Sequence, residues 1–98
     1  MDRIRVPKMS EFLGEDFMKP LHISAYRLAK AISVPVSRIQ DILHDRRKIT
    51  ADTSIRLGIF FGVSENFFLN LQNDIDMREA KRLIEDDLKK IQPLNHSI

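Results

Sequence analysis

Between residues 24 and 44 the apolar positions recur at intervals of three and four, the spacing of one face of an α-helix. Leu28 and Ile32 share a face in the first half of this stretch, and Ile39 and Ile42 share one in the second half. The pattern predicts two short helices joined by a tight turn. This arrangement is typical of a helix-turn-helix, whose second helix enters the major groove of DNA, although any tight pair of packed helices has the same spacing.

The residues around the two helices indicate how the chain turns. Ser33 lies in the tight turn, where a left-handed backbone is common and costs a residue other than glycine roughly 1 kcal/mol. Pro35 suits the first turn of the second helix, because the N–H that proline lacks has no partner there. His22 precedes Ser24, the predicted N-cap of the first helix. We interpret His22 as a turn residue, since no second metal ligand stands at a suitable spacing.

Amphipathic helices are also predicted on either side of this pair. Ser10 is a suitable N-cap for a helix over residues 10–18, which Pro20 ends. Thr50 is the predicted N-cap of another helix, which stops at Gly62. The predicted apolar faces are formed by Phe12, Leu13 and Phe17 in the first of these helices and by Ile55, Leu57, Ile59 and Phe60 in the second.

The C-terminal third of the chain is predicted to be one long helix from Ser64, its cap, to about Lys90, because neither Pro nor Gly interrupts the pattern before Pro93. Its apolar stripe is longer than a five-helix core of this size needs. The surplus predicts contact with a second copy or another protein; the alternative is that the helix folds back over its own core. The stripe consists of Ile75, Met77, Ala80, Leu83, Ile84, Leu88 and Ile91.

A chain of 98 residues is expected to form one domain with a single core. We divide it into an N-terminal arm at 1–9, a helix-turn-helix domain at 10–72 and a C-terminal helical extension and tail at 73–98. The arm is predicted to be mobile, and contact with phosphates or with a partner is the alternative. The absence of cysteine excludes disulfides and thiolate metal sites and suits a cytoplasmic location. No apolar run reaches the roughly 20 residues that a membrane span needs.

Charge is distributed unevenly along the chain. The total net charge of +2 is weak evidence for a nucleic-acid partner, but residues 24–56 carry seven basic against three acidic side chains, a net charge of +4. No cofactor, small-molecule substrate or enzymatic activity is predicted. His22, His44 and His96 are scattered, and the chain has no glycine-rich loop that could hold a phosphate.

The outer face of the second helix carries side chains that can read base edges, and a basic cluster follows it. A solvated helix face followed by a solvated run of charge is the alternative. Asp41 either reads a base or orients Arg38, three residues before it. The base-contacting candidates are Val36, Ser37, Arg38, Gln40 and Asp41. The phosphate-contacting candidates are Ser24, Tyr26, Arg27, His44, Arg46, Arg47, Lys48 and Thr50.

Six runs of sequence form a specific signature. They are RVP at 5–7, EDFMKPL at 15–21, SAYRLAKAI at 24–32, VPVSRIQDIL at 34–43, RRKITADTSIRLGIFFGVS at 46–64 and FFLNLQNDIDM at 67–77. In these runs the chain resembles the HigA antitoxins, also called VapI, within the Cro and phage-repressor-type (XRE) helix-turn-helix proteins. It departs from the family at Phe68, where Trp is usual, and at His22 and Ser33, where Gly is common.

The resemblance implies an all-α fold, with a five-helix lambda-repressor-like DNA-binding domain and an extended C-terminal helix. It also implies an antitoxin that binds operator DNA as a homodimer, represses its own operon and neutralises a HigB-like ribonuclease toxin. The recognition helices of such a dimer would lie about 34 Å apart. A stand-alone helix-turn-helix repressor without a toxin partner would have much the same sequence, so this alternative stays open.

Overall fold

The computed structural model describes residues 6–94 and shows an all-α protein, in which no described residue lies in a β-strand. The predicted fold class is confirmed, with six helices instead of five. They are α1 (Glu11–Met18), α2 (Ala25–Ile32), α3 (Val36–Leu43), α4 (Ala51–Phe61), α5 (Phe67–Leu83) and α6 (Glu85–Leu88). None of these six is both long and apolar enough to cross a membrane. The division into segments 1–9, 10–72 and 73–98 stays a prediction, and residues 1–5 and 95–98 lie outside the described residues.

The five helices α1 to α5 enclose one core, and each of them contributes side chains to it. Its fully buried apolar side chains are Leu13, Leu28, Ile39, Ile42, Leu57 and Phe68. Phe68 contacts the rings of Phe17 and Phe67 at centroid distances of 4.9 and 5.1 Å. Removal of this apolar surface from water is the main stabilising term of the fold. The apolar faces predicted for the two central helices are therefore confirmed.

Ser10 occupies the N-cap position of α1 as predicted, but its side chain does not cap the helix. Its backbone is already helical, with φ −57° and ψ −35°, and its side chain makes no capping hydrogen bond. The hydroxyl instead donates to Oδ2 of Asp45, 2.8 Å away in the loop between α3 and α4. Helix α1 also has wide π-type winding, in which the N–H of Lys19 donates to the carbonyl of Gly14 at 2.9 Å. A tertiary contact therefore helps to hold the start of α1, and such a contact leaves no local signal in the sequence.

The buried face of α4 differs from the prediction. Leu57 is buried as expected, but the side chains of Ile55, Ile59 and Phe60 are 41%, 69% and 37% exposed. Three small or polar residues are buried beside Leu57 instead, namely Thr53, Ser54 and Gly58.

Helix α4 buries this face because the following loop and the start of α5 pack closely against it. The Ser54 hydroxyl donates to the carbonyl of Glu65 at 2.7 Å and accepts from the N–H of Leu69 at 2.9 Å. A Cβ atom on Gly58 would lie 2.6 Å from the backbone oxygen of Ser64, which is closer than real contacts allow. Only small or hydrogen-bonding side chains fit against this backbone, so Ile55, Ile59 and Phe60 face outward, whereas Leu57 stays in the core.

Helix α5 begins at Phe67, two residues later than predicted. Asn66 is its N-cap, without a side-chain capping bond, and the hydroxyl of Ser64 lies 2.7 Å from Oδ1 of Asn66. The delay follows from the loop that packs on Gly58, because that loop must end before a helix can start. Thr50 does occupy the N-cap position of α4 as predicted, although its side chain makes no capping hydrogen bond.

The C-terminal helix is not continuous to Lys90 as predicted. It ends at Leu83, and Ile84, with φ −114° and ψ 18°, separates it from α6. Three acidic residues follow at 85–87 and form the first turn of α6. Negative charge is unfavourable near the C-terminus of a helix and favourable near an N-terminus, so a restart at this position suits the helix dipole.

Left-handed backbone occurs where the sequence predicted turns. Ser33 has φ 61° and His22 has φ 55°, which confirms the expectation for Ser33 and the reading of His22 as a turn residue. Gly62 ends α4 with φ 76°. Asp45 is a further case, with φ 58°, which the sequence analysis did not identify. Such positions cost a residue other than glycine roughly 1 kcal/mol, so the surrounding packing must maintain them.

Candidate nucleic-acid interface

The predicted helix-turn-helix corresponds to α2, the turn at residues 33–35 and α3. Ser24 caps α2 as predicted, since its Oγ accepts a hydrogen bond from the N–H of Arg27 at 3.1 Å. Pro35 is the N-cap of α3, one residue before the position predicted for it. Ile39 and Ile42 are fully buried against the core, so the opposite side of α3 faces outward.

The base-contacting candidates differ in exposure along α3. Ser37 and Gln40 are exposed, whereas Val36, Arg38 and Asp41 are half-buried. Ser37 and Gln40 carry neutral polar groups that can both donate and accept hydrogen bonds, as base edges require. These two side chains are therefore the most accessible readers among the five candidates.

Arg38 is not oriented by Asp41, and that part of the sequence interpretation is wrong. Asp41 binds Arg46, whose Nη2 and Nε lie 3.0 and 3.2 Å from Oδ1. The Nη1 of Arg38 instead donates to Oδ1 of Asp52 at 3.0 Å, and the Arg38 side chain is only 24% exposed. Its Nε atom is buried and has no hydrogen-bond partner among residues 6–94. Arg38 is thus anchored to the first turn of α4.

Asp52 also connects Arg38 to the turn between α2 and α3, through Arg56. Its Oδ1 also accepts from Nε of Arg56 at 2.8 Å. The Nη1 of Arg56 donates to the carbonyls of Ile32 and Ser33 at 2.8 and 3.3 Å. One carboxylate therefore links α3, α4 and the end of α2. Sequence reasoning missed this network, because Asp52 lies 14 residues from Arg38 and no periodicity connects them.

The hydrogen bond from Arg56 holds the pKa of the Asp52 carboxyl below its ordinary value of 3.8, with further lowering by the charges of Arg56 and Arg38. A lowered pKa in the folded protein means that the charged carboxylate stabilises the fold. This stabilisation is fully present above the ordinary value, and it is lost as the pH falls through the lower folded value.

Asp52→Asn is therefore expected to lower the urea midpoint of unfolding at neutral pH, and the difference from wild type should shrink below pH 3.8. The asparagine keeps a hydrogen-bond acceptor, so the variant tests the charge. Asp86→Asn is the control, because the Asp86 side chain is 93% exposed and its ion pair with Lys89 is long at 3.7 Å. Midpoints that run parallel for wild type and Asp52→Asn across this pH range would contradict the prediction.

The phosphate-contacting candidates are all exposed. They form two groups, one at the start of α2 and one from the end of α3 to the start of α4. Several already have internal partners, since Arg46 binds Asp41 and Lys48 lies 3.3 Å from Asp76. Such exposed pairs contribute little to stability and exchange readily for a phosphate. The first group is Ser24, Tyr26 and Arg27, and the second is His44, Arg46, Arg47, Lys48 and Thr50.

The chemistry of this surface is that of an anion-binding face. Cationic and hydroxyl side chains stand before and after α3, which exposes polar groups. Residues 6–94 contain no cluster of acidic, histidine or cysteine side chains that could hold a metal ion. Such a surface can bind a polyanion and read its hydrogen-bonding groups, which is the requirement for sequence-specific contact with DNA.

Comparison with known proteins finds relatives of the same kind by sequence and by structure. A family model described as Helix-turn-helix matches residues 15–68. Virulence-associated protein I of Dichelobacter nodosus is 43% identical over 72 residues, which are 74% of this chain and 67% of that protein. The solved structure of a HigA-family addiction module antidote protein from Coxiella burnetii is 36% identical with a TM-score of 0.85. That of the Pseudomonas aeruginosa antitoxin HigA with higBA promoter is 33% identical, also at 0.85. Both likenesses cover 93% of this chain and 100% of the other.

These likenesses extend through the helix-turn-helix and into the C-terminal helices. They confirm the resemblance that the sequence motifs indicated, and proteins of this class are DNA-binding regulators rather than enzymes. The six-helix fold, the outward face of α3 and the sequence identity all indicate the same family. The chain belongs to the HigA family of helix-turn-helix proteins.

Proposed function

We propose that this protein is the antitoxin of a HigBA-type module. In this proposal it binds operator DNA sequence-specifically as a homodimer, represses its own operon and neutralises a ribonuclease toxin. The observation that carries the DNA-binding part is the construction of α3. Its inner face is fixed in the core by Ile39 and Ile42, its outer face exposes Ser37 and Gln40, and a basic loop follows it.

The five base-contacting candidates have separate roles in this proposal. Ser37 and Gln40 read base edges directly, and Val36 meets a thymine methyl group. Asp41 accepts a hydrogen bond from a cytosine amino group or positions Arg46. Arg38 reads a base in the direction that Asp52 sets, since an arginine held by a carboxylate loses less entropy on binding. The eight phosphate candidates at the start of α2 and from His44 to Thr50 fix the register of the complex.

The relatives support both parts of the proposal. The Pseudomonas aeruginosa HigA was solved with promoter DNA, and its name and that of the Coxiella protein describe antitoxins or antidotes. A toxin partner of this chain rests on those names, so a stand-alone repressor remains the alternative function. Operator DNA as the ligand places the proposed activity in the cytoplasm.

Fluorescence anisotropy on the DNA upstream of the protein's own gene tests the DNA-binding part. Random duplex of equal length is the comparison, and both are measured at two salt concentrations. The proposal expects specific binding at least about 10³-fold tighter than binding to random DNA, with affinity that falls as salt rises. Equal affinity for both duplexes would contradict autonomous operator recognition.

Arg47→Ala is expected to weaken binding to operator and random DNA alike, because a phosphate contact carries no sequence information. The slope of log affinity against log salt concentration is negative, and its magnitude should decrease by about 1. Lys89→Ala is the matched control, because Lys89 is an exposed cation beyond α6, outside the proposed interface. A loss confined to the operator would instead move Arg47 to the base-reading class.

Co-expression separates the antitoxin from the stand-alone repressor. The product of the gene beside this chain's gene is expressed alone and then together with this chain. Growth arrest that this chain relieves, with the two proteins co-purifying, is the expected result for an antitoxin. A neighbouring product that has no effect on growth and does not co-purify would favour the stand-alone repressor.

A further inference from the structure

The basic loop, residues 45–50, joins α3 to α4 and carries most of the cationic candidates for phosphate contact. Residues 46–50 have no regular secondary structure, and the side chains of Arg46, Arg47 and Lys48 are exposed. A segment without the hydrogen-bond ladder of a helix keeps one shape only if other parts of the chain hold it. The geometry of the phosphate contacts therefore depends on what anchors this loop.

Two contacts from other parts of the chain hold the ends of the basic loop. At its start, the hydroxyl of Ser10 donates to Oδ2 of Asp45 at 2.8 Å, where the backbone is left-handed with φ 58°. Near its end, the side chain of Ile49 is buried and its N–H donates to Oε1 of Gln72 on α5 at 3.1 Å. The exposed basic residues 46–48 therefore lie between two fixed points.

Gln72 is a buried polar side chain, only 6% exposed, and both ends of its carboxamide have partners. While Oε1 accepts from the N–H of Ile49, Nε2 donates to Oδ1 of Asp76 at 3.1 Å. A backbone N–H can only donate and an ionised carboxylate can only accept, so the two ends of the carboxamide cannot exchange places. The carboxamide therefore has one orientation, with its acceptor directed at the loop.

Asp76 extends this contact to one cation of the loop. Its Oδ1 also lies 3.3 Å from Nζ of Lys48, whose side chain is 72% exposed. Such an exposed ion pair is weak and can exchange for a phosphate. The buried hydrogen bond from Ile49 cannot be given up without leaving a backbone donor unsatisfied. The bond to Gln72, rather than the ion pair, therefore fixes the loop.

We propose that Gln72 is a positioning residue for DNA binding, which acts from α5 through the backbone of the basic loop. By holding the N–H of Ile49, it keeps the neighbouring side chains of Arg47, Lys48 and Thr50 in the arrangement that meets phosphates. An anchored loop does not have to become ordered when DNA binds, so its affinity is not reduced by time spent in other conformations. The inference rests on the phosphate contacts of the proposed function and assigns what sets their geometry.

Gln72→Met tests the anchor without DNA. Methionine has the same unbranched length, but its thioether is at most a weak acceptor for the N–H of Ile49. The Ile49 amide is expected to exchange its hydrogen with solvent at least about tenfold faster than in wild type, measured by NMR. The amide of Ser54, which donates to the carbonyl of Thr50 at 2.9 Å, is the reference and should change less. An equal change at both amides, or none at Ile49, would overturn the proposal.

Binding to random duplex gives the functional measurement, because phosphate contacts carry no sequence information. Gln72→Met is expected to weaken this binding roughly tenfold, since the apparent affinity scales with the fraction of the loop in the binding conformation. In a chain that already carries Arg47→Ala and Lys48→Ala, the same change should cost less than about twofold, because the loop has fewer contacts left to position. An equal loss in both backgrounds would place the effect of Gln72 outside the loop and overturn the proposal.

Leu71→Ala is the control for stability. Leu71 precedes Gln72 on α5 and is partly buried against the core, so its truncation should destabilise the fold and leave the bond from Ile49 in place. Where circular dichroism shows both variants folded, Leu71→Ala should bind random duplex as wild type does. A loss equal to that of Gln72→Met would assign the effect to stability and overturn the positioning role.

The random duplex also separates this inference from operator recognition. A protein that does not recognise its operator can still lose affinity for random duplex on Gln72→Met, and the positioning role would then stand without the proposed function. A Gln72→Met variant that binds random duplex as wild type does would overturn the inference while operator recognition stands.

Discussion

Phe68→Ala is expected to lower the free energy of unfolding by about 3–5 kcal/mol, because a large aromatic side chain is lost from the core. Phe68 is fully buried, and its ring lies 4.9, 5.1 and 6.0 Å from those of Phe17, Phe67 and Phe61. Truncation removes the transfer free energy of the ring and leaves a cavity that three neighbouring rings cannot fill. A domain of this size has about 5–15 kcal/mol in total, so the variant should be near the limit of folding.

Urea unfolding followed by circular dichroism measures this loss. Phe67→Ala is the matched control, because it removes the same ring one residue earlier in α5, where 38% of the side chain is exposed. Its expected cost is about 1–2 kcal/mol, in proportion to the smaller area buried. Equal losses for the two variants would contradict the prediction that the ring at the centre of the aromatic cluster contributes more to stability than the ring at its edge.

The double substitution Ser37→Ala with Gln40→Ala is expected to weaken operator binding by at least about 2 kcal/mol, roughly thirtyfold. Each side chain is exposed on α3, and each lost base contact is worth about 1–3 kcal/mol. Binding to random duplex should change little, because the phosphate-contacting side chains remain. The specificity ratio, measured by anisotropy on both duplexes, should therefore fall with the operator affinity.

The folded state should not be affected by this change, since neither side chain contributes to the core. Asn70→Ala on α5 is the control for an exposed polar side chain on a helix outside the proposed interface. A parallel loss on operator and random DNA would assign Ser37 and Gln40 to phosphate contact. No loss on either duplex would remove α3 from the interface.

Local patterns predicted most of the helices, because burial of one helix face imposes a spacing that is visible along the chain. The apolar faces of α2 and α3 follow directly from Leu28, Ile32, Ile39 and Ile42. The turn at Ser33 was also predictable, since the neighbouring helices leave too few residues for any conformation but a tight one.

The candidate site was predicted as a set of residues but not as a set of partners. Exposure of Ser37 and Gln40 follows from the helix period, which points them away from the core. The anchoring of Arg38 by Asp52 does not, because the two residues belong to different helices and meet only when α3 packs beside α4. The pairing of Asp41 with Arg46 likewise depends on the path of the loop after α3.

The sequence alone determined the all-α class, the helix-turn-helix and the family, because these depend on periodicity, caps and motifs within short windows. Only the tertiary structure decided which face of α4 is buried, where α5 begins and what holds Arg38. Gly58 lies in the core because the backbone at 64–65 passes too close to it for a side chain, and Ser54 lies there because its hydroxyl hydrogen-bonds the same backbone. Contacts between distant segments set such details, and hydrophobicity along one helix does not report them.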